Sequence, residues 1–148
     1  MSAPIDVRVV LEDHAVAAPE YQSDHASGLD LVAATDGDVT IDAGAIVSIP
    51  TGIRLEIPPG YEGQVRPRSG LAARHGIGVP NAPGTIDADY RGEVRVLLVN
   101  LGAAPYVVRR GDRIAQLVFA PVTRATLRVA SALGATVRGD GGFGHTGR

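Results

Sequence analysis

Nineteen glycines and ten prolines interrupt this 148-residue chain so often that many short strands and turns are expected rather than long helices. Between the interruptions, apolar and polar residues alternate with a period of two, the pattern of a strand with one buried face. Ile5, Val7, Val9 and Leu11 alternate with Asp6 and Arg8, so a half-buried first strand is expected there. Ala45–Ile49 reads as a short strand, and a second one follows with Ile53, Leu55 and Ile57 alternating with Arg54 and Glu56. Pro58-Pro59-Gly60-Tyr61 is a turn, and Val94, Val96 and Leu98 share one face of a long strand from 93 to 101. The segments 13–24 and 35–44 read as loop and turn. The expected class is all-β, with one short helix.

The chain is long enough for one domain with a real core, and its 45% hydrophobic and 20% charged residues are ordinary for a soluble globular protein. A net charge of -2 leaves no electrostatic footprint for duplex nucleic acid, so no nucleic-acid partner is expected. With no cysteine there can be no disulfide and no thiolate metal site. The first residues show no basic region followed by an apolar run, and no stretch approaches the roughly 18 apolar residues of a membrane span. A soluble, cytoplasmic protein without a membrane partner is the expectation. His14 and His25 have no partner at a metal-ligand spacing and are read as solvated.

Chemistry concentrates in Gly84-Thr85-Ile86-Asp87-Ala88-Asp89-Tyr90-Arg91-Gly92, which follows the stiff approach Asn81-Ala82-Pro83. Read as an extended hairpin, it puts Thr85, Asp87 and Asp89 on one side and Ile86, Ala88 and Tyr90 on the other. An aspartate in a tight, partly desolvated turn can act as a general base for water. Taken alone, the segment is better read as a solvated acidic turn, since acidic turns are common.

Three further stretches add to it. Asp30 stands opposite the apolar face of Leu29, Leu31 and Ala33, where it needs a cation or hydrogen-bond donors; a structural ion pair would satisfy it as well as a functional one. In Arg66-Pro67-Arg68-Ser69-Gly70-Leu71, Ser69 reads as the N-cap of a short helix running from Leu71 to His75 and stopped by Gly76. Arg68 before free backbone N–H groups makes an anion site suited to phosphate. In Arg113-Ile114-Ala115-Gln116-Leu117-Val118, the lone amide of Gln116 on an apolar face needs partners from protein or ligand, whereas Asp112 is read as tying down neighbouring arginine side chains.

The end of the chain, Arg138 to Arg148, has five glycines in eleven residues and cannot build a core. It nevertheless carries Phe143, one of two phenylalanines in the chain. An aromatic that cannot bury itself suits stacking on a nucleobase, and Arg138 with nearby backbone N–H groups suits phosphate. The chain is therefore divided into a β domain, 1–137, and a mobile tail, 138–148, that closes as a lid.

In order along the chain, these stretches resemble the five motifs of the trimeric deoxyuridine triphosphatases (dUTPases): Ala26–Leu31, Pro67–Leu71, Asn81–Gly92, Arg110–Leu117 and Arg138–Gly147. The resemblance implies a β jelly roll, a homotrimer with three active sites shared between subunits, and hydrolysis of dUTP to dUMP and pyrophosphate with Mg²⁺. Such an activity limits uracil incorporation into DNA and supplies dUMP for thymidylate synthesis. Carried over by matching position, Asp87 would hold and activate the attacking water. Asn81 and the hairpin backbone at Thr85 and Ile86 would read uracil, and Tyr90 would pack against the deoxyribose and disfavour a 2′-hydroxyl. Arg68, Ser69 and Gly70 would hold phosphates with Gln116 nearby, and Asp30 would anchor the Mg²⁺ region through water. In the tail, Arg138 would bind the terminal phosphate, Phe143 would stack on uracil, and Gly144, His145 and Thr146 would approach the phosphates. His145 stands where the family's tail usually has Ser.

Two rivals differ in testable residues. The related dCTP deaminases carry a catalytic Glu three residues before the Asn that ends the strand after the hairpin; here Leu97 precedes Asn100. A non-enzymatic nucleotide-binding jelly roll would be expected to lack Asp87 or an intact tail, and both are present.

Overall fold

A computed structural model describes residues 4–147. The alternation that marks strands in the sequence is carried through β9 (Glu93–Asn100), where Val94, Val96 and Leu98 are at most 2% exposed. β9 lies at the centre of a four-stranded antiparallel sheet, between β5 (Ile46–Glu56) and β7 (Ile77–Gly78), with β1 (Arg8–Leu11) on the outer side of β5. A second, five-stranded antiparallel sheet places β11 (Arg113–Pro121) between β3 (Leu29–Val32) and β6 (Tyr61–Arg66). Its edges are β2 (Glu20–Tyr21) and β8 (Gly84–Ile86). β4 (Val39–Ile41) and β10 (Tyr106–Val108) form a separate pair. The inner faces meet in one core, with Ile49, Ile53 and Leu98 from one sheet and Leu31, Ile114 and Leu117 from the other. Each such side chain stabilises the fold by about 1.5–3 kcal/mol. The architecture is a jelly-roll-like β fold with one short helix.

Several local expectations are corrected. The two strands read at 45–49 and 53–57 are one strand, β5, kinked by a register shift between Pro50 and Arg54 opposite β9. Gly52 makes the kink possible: its φ is 70°, and a Cβ there would meet Ala15 Cα at 2.6 Å. β1 is less buried than expected, since Val9, Val10 and Leu11 are 41–50% exposed and only Ile5 and Val7 turn inward. β2, β4 and β10 were not expected as strands; each is three residues or fewer, too short for an alternation to show.

The helix α1 (Ser69–His75) begins at Ser69, so Arg68 and not Ser69 occupies the N-cap position, and no side chain caps the helix. Leu71 anchors it in the core, and Gly76 ends it in the left-handed conformation, its N–H donating to Ala72 C=O. The buried Asn100 ties the sheets' connections together, donating to Ile41 C=O and Ala104 C=O at 2.8 Å each and accepting from Gly102 N–H.

The last strand ends at Pro121, and residues 122–147 contain no helix or strand. Leu127, Val129, Leu133 and Val137 in this arm are more than 90% exposed. No helix among the described residues is long and apolar enough to cross a membrane.

Candidate active site

The central segment enters as an edge strand. β8 pairs with β6 in the register Thr85 opposite Gln64 and Ile86 opposite Gly63, which turns Ile86 into the core and leaves Thr85 exposed. The chain then leaves the sheet at Asp87 and closes a turn in which Tyr90 N–H donates to Asp87 C=O at 3.1 Å. This turn corrects the two-sided hairpin expected from the sequence. The two sides expected are not kept apart: Thr85, Ile86, Asp87 and Tyr90 all line one cavity.

That cavity, of about 230 Å³, is lined by Asn81, Thr85, Ile86, Asp87 and Tyr90, all singled out in the sequence. Gly84 lets Asn81 pack close, since a Cβ there would lie 3.1 Å from Asn81 Nδ2. The Tyr90 ring lies so close against the backbone of Gly92 that a Cβ there would collide with its hydroxyl, and Tyr90 Oη donates to Glu93 C=O at 3.0 Å. The ring is thereby held fixed against the cavity wall. Leu97 also lines the cavity, so the position at which a deaminase would place its glutamate is apolar here.

Glu93 and Arg95 line the cavity too, and sequence reasoning missed both. Glu93 accepts from Gly52 N–H at 2.9 Å and from His14 Nε2 at 2.9 Å, and lies 3.3 Å from Arg95 Nη1. Burial pushes its carboxyl up, but the His14 and Gly52 hydrogen bonds and the Arg95 charge hold it below the ordinary carboxylate value. His14, expected to be solvated, is half-buried against this carboxylate. The two residues are 79 apart in sequence, which is why neither shows the other.

A second cluster sits where β3, β6 and β11 run side by side. Gln116 lies in register with Asp30 on one side and Arg66 on the other. Its Nε2 donates to Pro67 C=O at 3.0 Å, so the protein supplies one of the partners its amide needs. Gly28 makes room for it, since a Cβ there would meet Gln116 Oε1 at 2.7 Å. Asp30 finds its cations in Arg113, at 3.0 Å, and Arg68, at 3.8 Å. Arg68 also donates to Arg113 C=O at 2.8 Å, which fixes its guanidinium beside the start of α1 at Ser69 and Gly70. Asp112 does not tie down arginine side chains as expected; its carboxylate accepts from Arg109 N–H at 2.8 Å and closes the turn into β11.

None of Asp30, Arg68, Ser69, Gly70 and Gln116 lines the cavity that holds Asp87. The chain thus carries a nucleoside-sized cavity edged by an acid, and apart from it a cationic cluster suited to an anion. In the tail, Arg138 Nε donates to Gly141 C=O at 2.8 Å within its own turn, and Phe143 is fully exposed. Gly144, His145 and Thr146 are likewise exposed, and no tail residue lines the Asp87 cavity.

The fold is a jelly-roll-like β domain that carries a cavity of nucleoside size. The chain matches the family model of the dUTPases over residues 14–147 and belongs to the dUTPase family. Among solved structures, it is similar to the dUTPase of Staphylococcus bacteriophage 80alpha in complex with dUpNHpp. That likeness has 24% identity and a TM-score of 0.88, over 97% of this chain and 99% of that one. It is also similar to a mutant dUTPase from phage phi11 of S. aureus, whose structure reveals the coordination of a structural Mg(II) ion. Here the identity is 23% and the TM-score 0.78, over 86% of this chain and 98% of that one. At these identities the likeness to the phage enzymes is one of fold, and the activity, dUTP hydrolysis, follows from the family.

Proposed function

We propose that this dUTPase cleaves dUTP to dUMP and pyrophosphate, with Mg²⁺, at three sites of a homotrimer in which each site is shared between subunits. That no residue of the Arg68–Gln116 cluster lines the Asp87 cavity is the observation that carries this reading. A nucleoside seated on Tyr90 would need the phosphate cluster of a neighbouring chain. Exposed apolar side chains support the assembly: Ile46, Leu97 and Leu101 are 59%, 37% and 76% exposed, and the arm adds Leu127 and Val129.

In this reading Asn81 and the backbone at Thr85 and Ile86 bind uracil, and Tyr90 packs on the deoxyribose and excludes a 2′-hydroxyl. Asp87, exposed at the cavity's edge, holds the attacking water and takes its proton as the phosphoanhydride bond breaks. Arg68, Ser69 and Gly70 hold the phosphates, and Gln116, with one amide group already bonded to Pro67, orients them. The tail closes over the nucleotide, with Arg138 on the terminal phosphate, Phe143 on uracil and Gly144, His145 and Thr146 along the phosphates.

The donor set suits Mg²⁺ held chiefly by the substrate. Among the described residues no group of three His, Asp or Glu side chains could hold a metal, and the Asp30 carboxylate is already engaged by two arginines. Mg²⁺ keeps several waters and takes one or two carboxylates plus phosphate oxygens, so Asp30 would reach it through water. The ion would supply neutralisation of phosphate charge. A cytoplasmic location, where deoxynucleotides are pooled, completes the proposal.

Pyrophosphate release measured side by side with dUTP, dCTP, dTTP and UTP tests the substrate. dUTP should lead by a wide margin, and comparable kcat/KM for dUTP and UTP would overturn the Tyr90 assignment. Light scattering tests the assembly, since a monomer of full activity would contradict the shared site.

A further inference from the structure

We propose that His14 is a positioning residue for the nucleoside half of the site, acting through Glu93 on Tyr90; this rests on the reading of Tyr90 as the sugar's floor. The connection is continuous. His14 Nε2 donates to Glu93 Oε1 at 2.9 Å, since a carboxylate can only accept, and Gly52 N–H donates to the same oxygen. Glu93 C=O in turn accepts the Tyr90 hydroxyl at 3.0 Å. The residue that receives Tyr90 is therefore held through its own side chain by donors from two other segments.

Those segments are themselves anchored. Glu12 N–H donates to Gly52 C=O at 2.8 Å, and Ala15 packs on Gly52 so closely that no side chain fits at 52. Arg110, at the turn entering β11, donates to His14 C=O at 2.8 Å and to Thr35 C=O at 3.2 Å. His14 thus bridges the strand that carries Gln116 and the one that begins at Glu93. Without it, Glu93 Oε1 would keep only the Gly52 N–H, and the carboxylate that fixes residue 93 under the Tyr90 ring would lose one of its two donors from other segments.

A residue of this kind acts on substrate selection more than on bond cleavage, because its hydrogen bonds reach the site through Glu93 and the Tyr90 hydroxyl rather than through the Asp87 carboxylate. His14→Ala should raise KM for dUTP about three- to tenfold, the worth of one hydrogen bond to a charged group at a part-exposed site, with kcat unchanged. It should lower the preference for dUTP over UTP by a similar factor. His14→Gln, whose Nε2 can reach the same oxygen, should restore both. Kinetics should be measured well below the melting temperature of either variant, so that kinetic differences are not differences in folding. Tyr90→Ala is the reference, and it should lose discrimination whatever His14 does. Discrimination intact in Tyr90→Ala would remove the sugar floor and the proposal with it. Discrimination lost in Tyr90→Ala but unchanged in His14→Ala would overturn the His14 proposal alone, as would equal losses in His14→Ala and His14→Gln.

Discussion

Asp30 Oδ2 lies 3.0 Å from Arg113 Nη1, and the other carboxylate oxygen lies 3.8 Å from Arg68 Nε. One acid thus holds two guanidiniums together where three strands run in register. Because Asp30 is mostly buried, removing its charge leaves cations that would repel one another. Asp30→Asn should cost about 1–2 kcal/mol of stability, less than a fully buried pair because both arginines reach solvent. It should also raise the Mg²⁺ concentration needed for half-maximal activity. Thermal melts and a Mg²⁺ titration check both; wild-type Mg²⁺ dependence would leave Asp30 a purely structural acid.

Asp87 leaves the sheet with its carboxylate at the cavity edge and its carbonyl tied to Tyr90 N–H. The turn is therefore held by backbone, and Asp87→Asn should keep fold and nucleotide affinity. Turnover should fall about 10²–10⁴-fold, the usual worth of a positioned base. Near wild-type kcat in that variant would take Asp87 out of the mechanism.

Glu93 gives a pH prediction with a definite sign. Its folded-state carboxyl is held below the ordinary value near 4.5, so the ionised form is the one the fold favours. The stability it contributes is fully present above that ordinary value and is lost as pH falls through the lower, folded one. Wild-type protein should therefore melt above Glu93→Gln at neutral pH, and the gap should shrink as pH drops below about 4.5. A gap that is constant from pH 7 to pH 3 would mean that the charge of Glu93 contributes nothing.

Where chemistry lies in a contiguous run, the sequence reveals it. Asn81, Thr85, Ile86, Asp87 and Tyr90 are adjacent in the chain and line one cavity. β9 is equally plain, because a central strand buries every second residue. The relations that escaped depend on pairing across the fold. The approach of His14 to Glu93 needs the kink at Gly52, and the kink shows only as a glycine between two apolar runs. The convergence of both expected sides on one cavity escapes the sequence, because alternation holds only while the chain stays extended, and here it turns at Asp87. Ser69 has the chemistry of an N-cap, but Pro67 restricts Arg66 rather than Arg68, so the helix could begin one residue earlier than a serine cap allows.

The arm and tail offer the sharpest separation of binding from folding. Residues 122–147 add no strand, and Phe143 is fully exposed. Deleting residues 138–148 should therefore leave the melting temperature nearly unchanged, because a segment with five glycines contributes almost no core. The same deletion removes the Arg138 contact to phosphate and the Phe143 stack on uracil, each worth about 1–3 kcal/mol. If those contacts only bound substrate, KM alone would rise. A tail that also keeps water from the reacting phosphate must lower kcat as well. Phe143→Trp should retain activity and report closure directly, through a fluorescence change when a non-hydrolysable dUTP analogue and Mg²⁺ are added. Wild-type kinetics in the truncated protein, or a tryptophan indifferent to saturating nucleotide, would reduce the tail to an ordinary chain end.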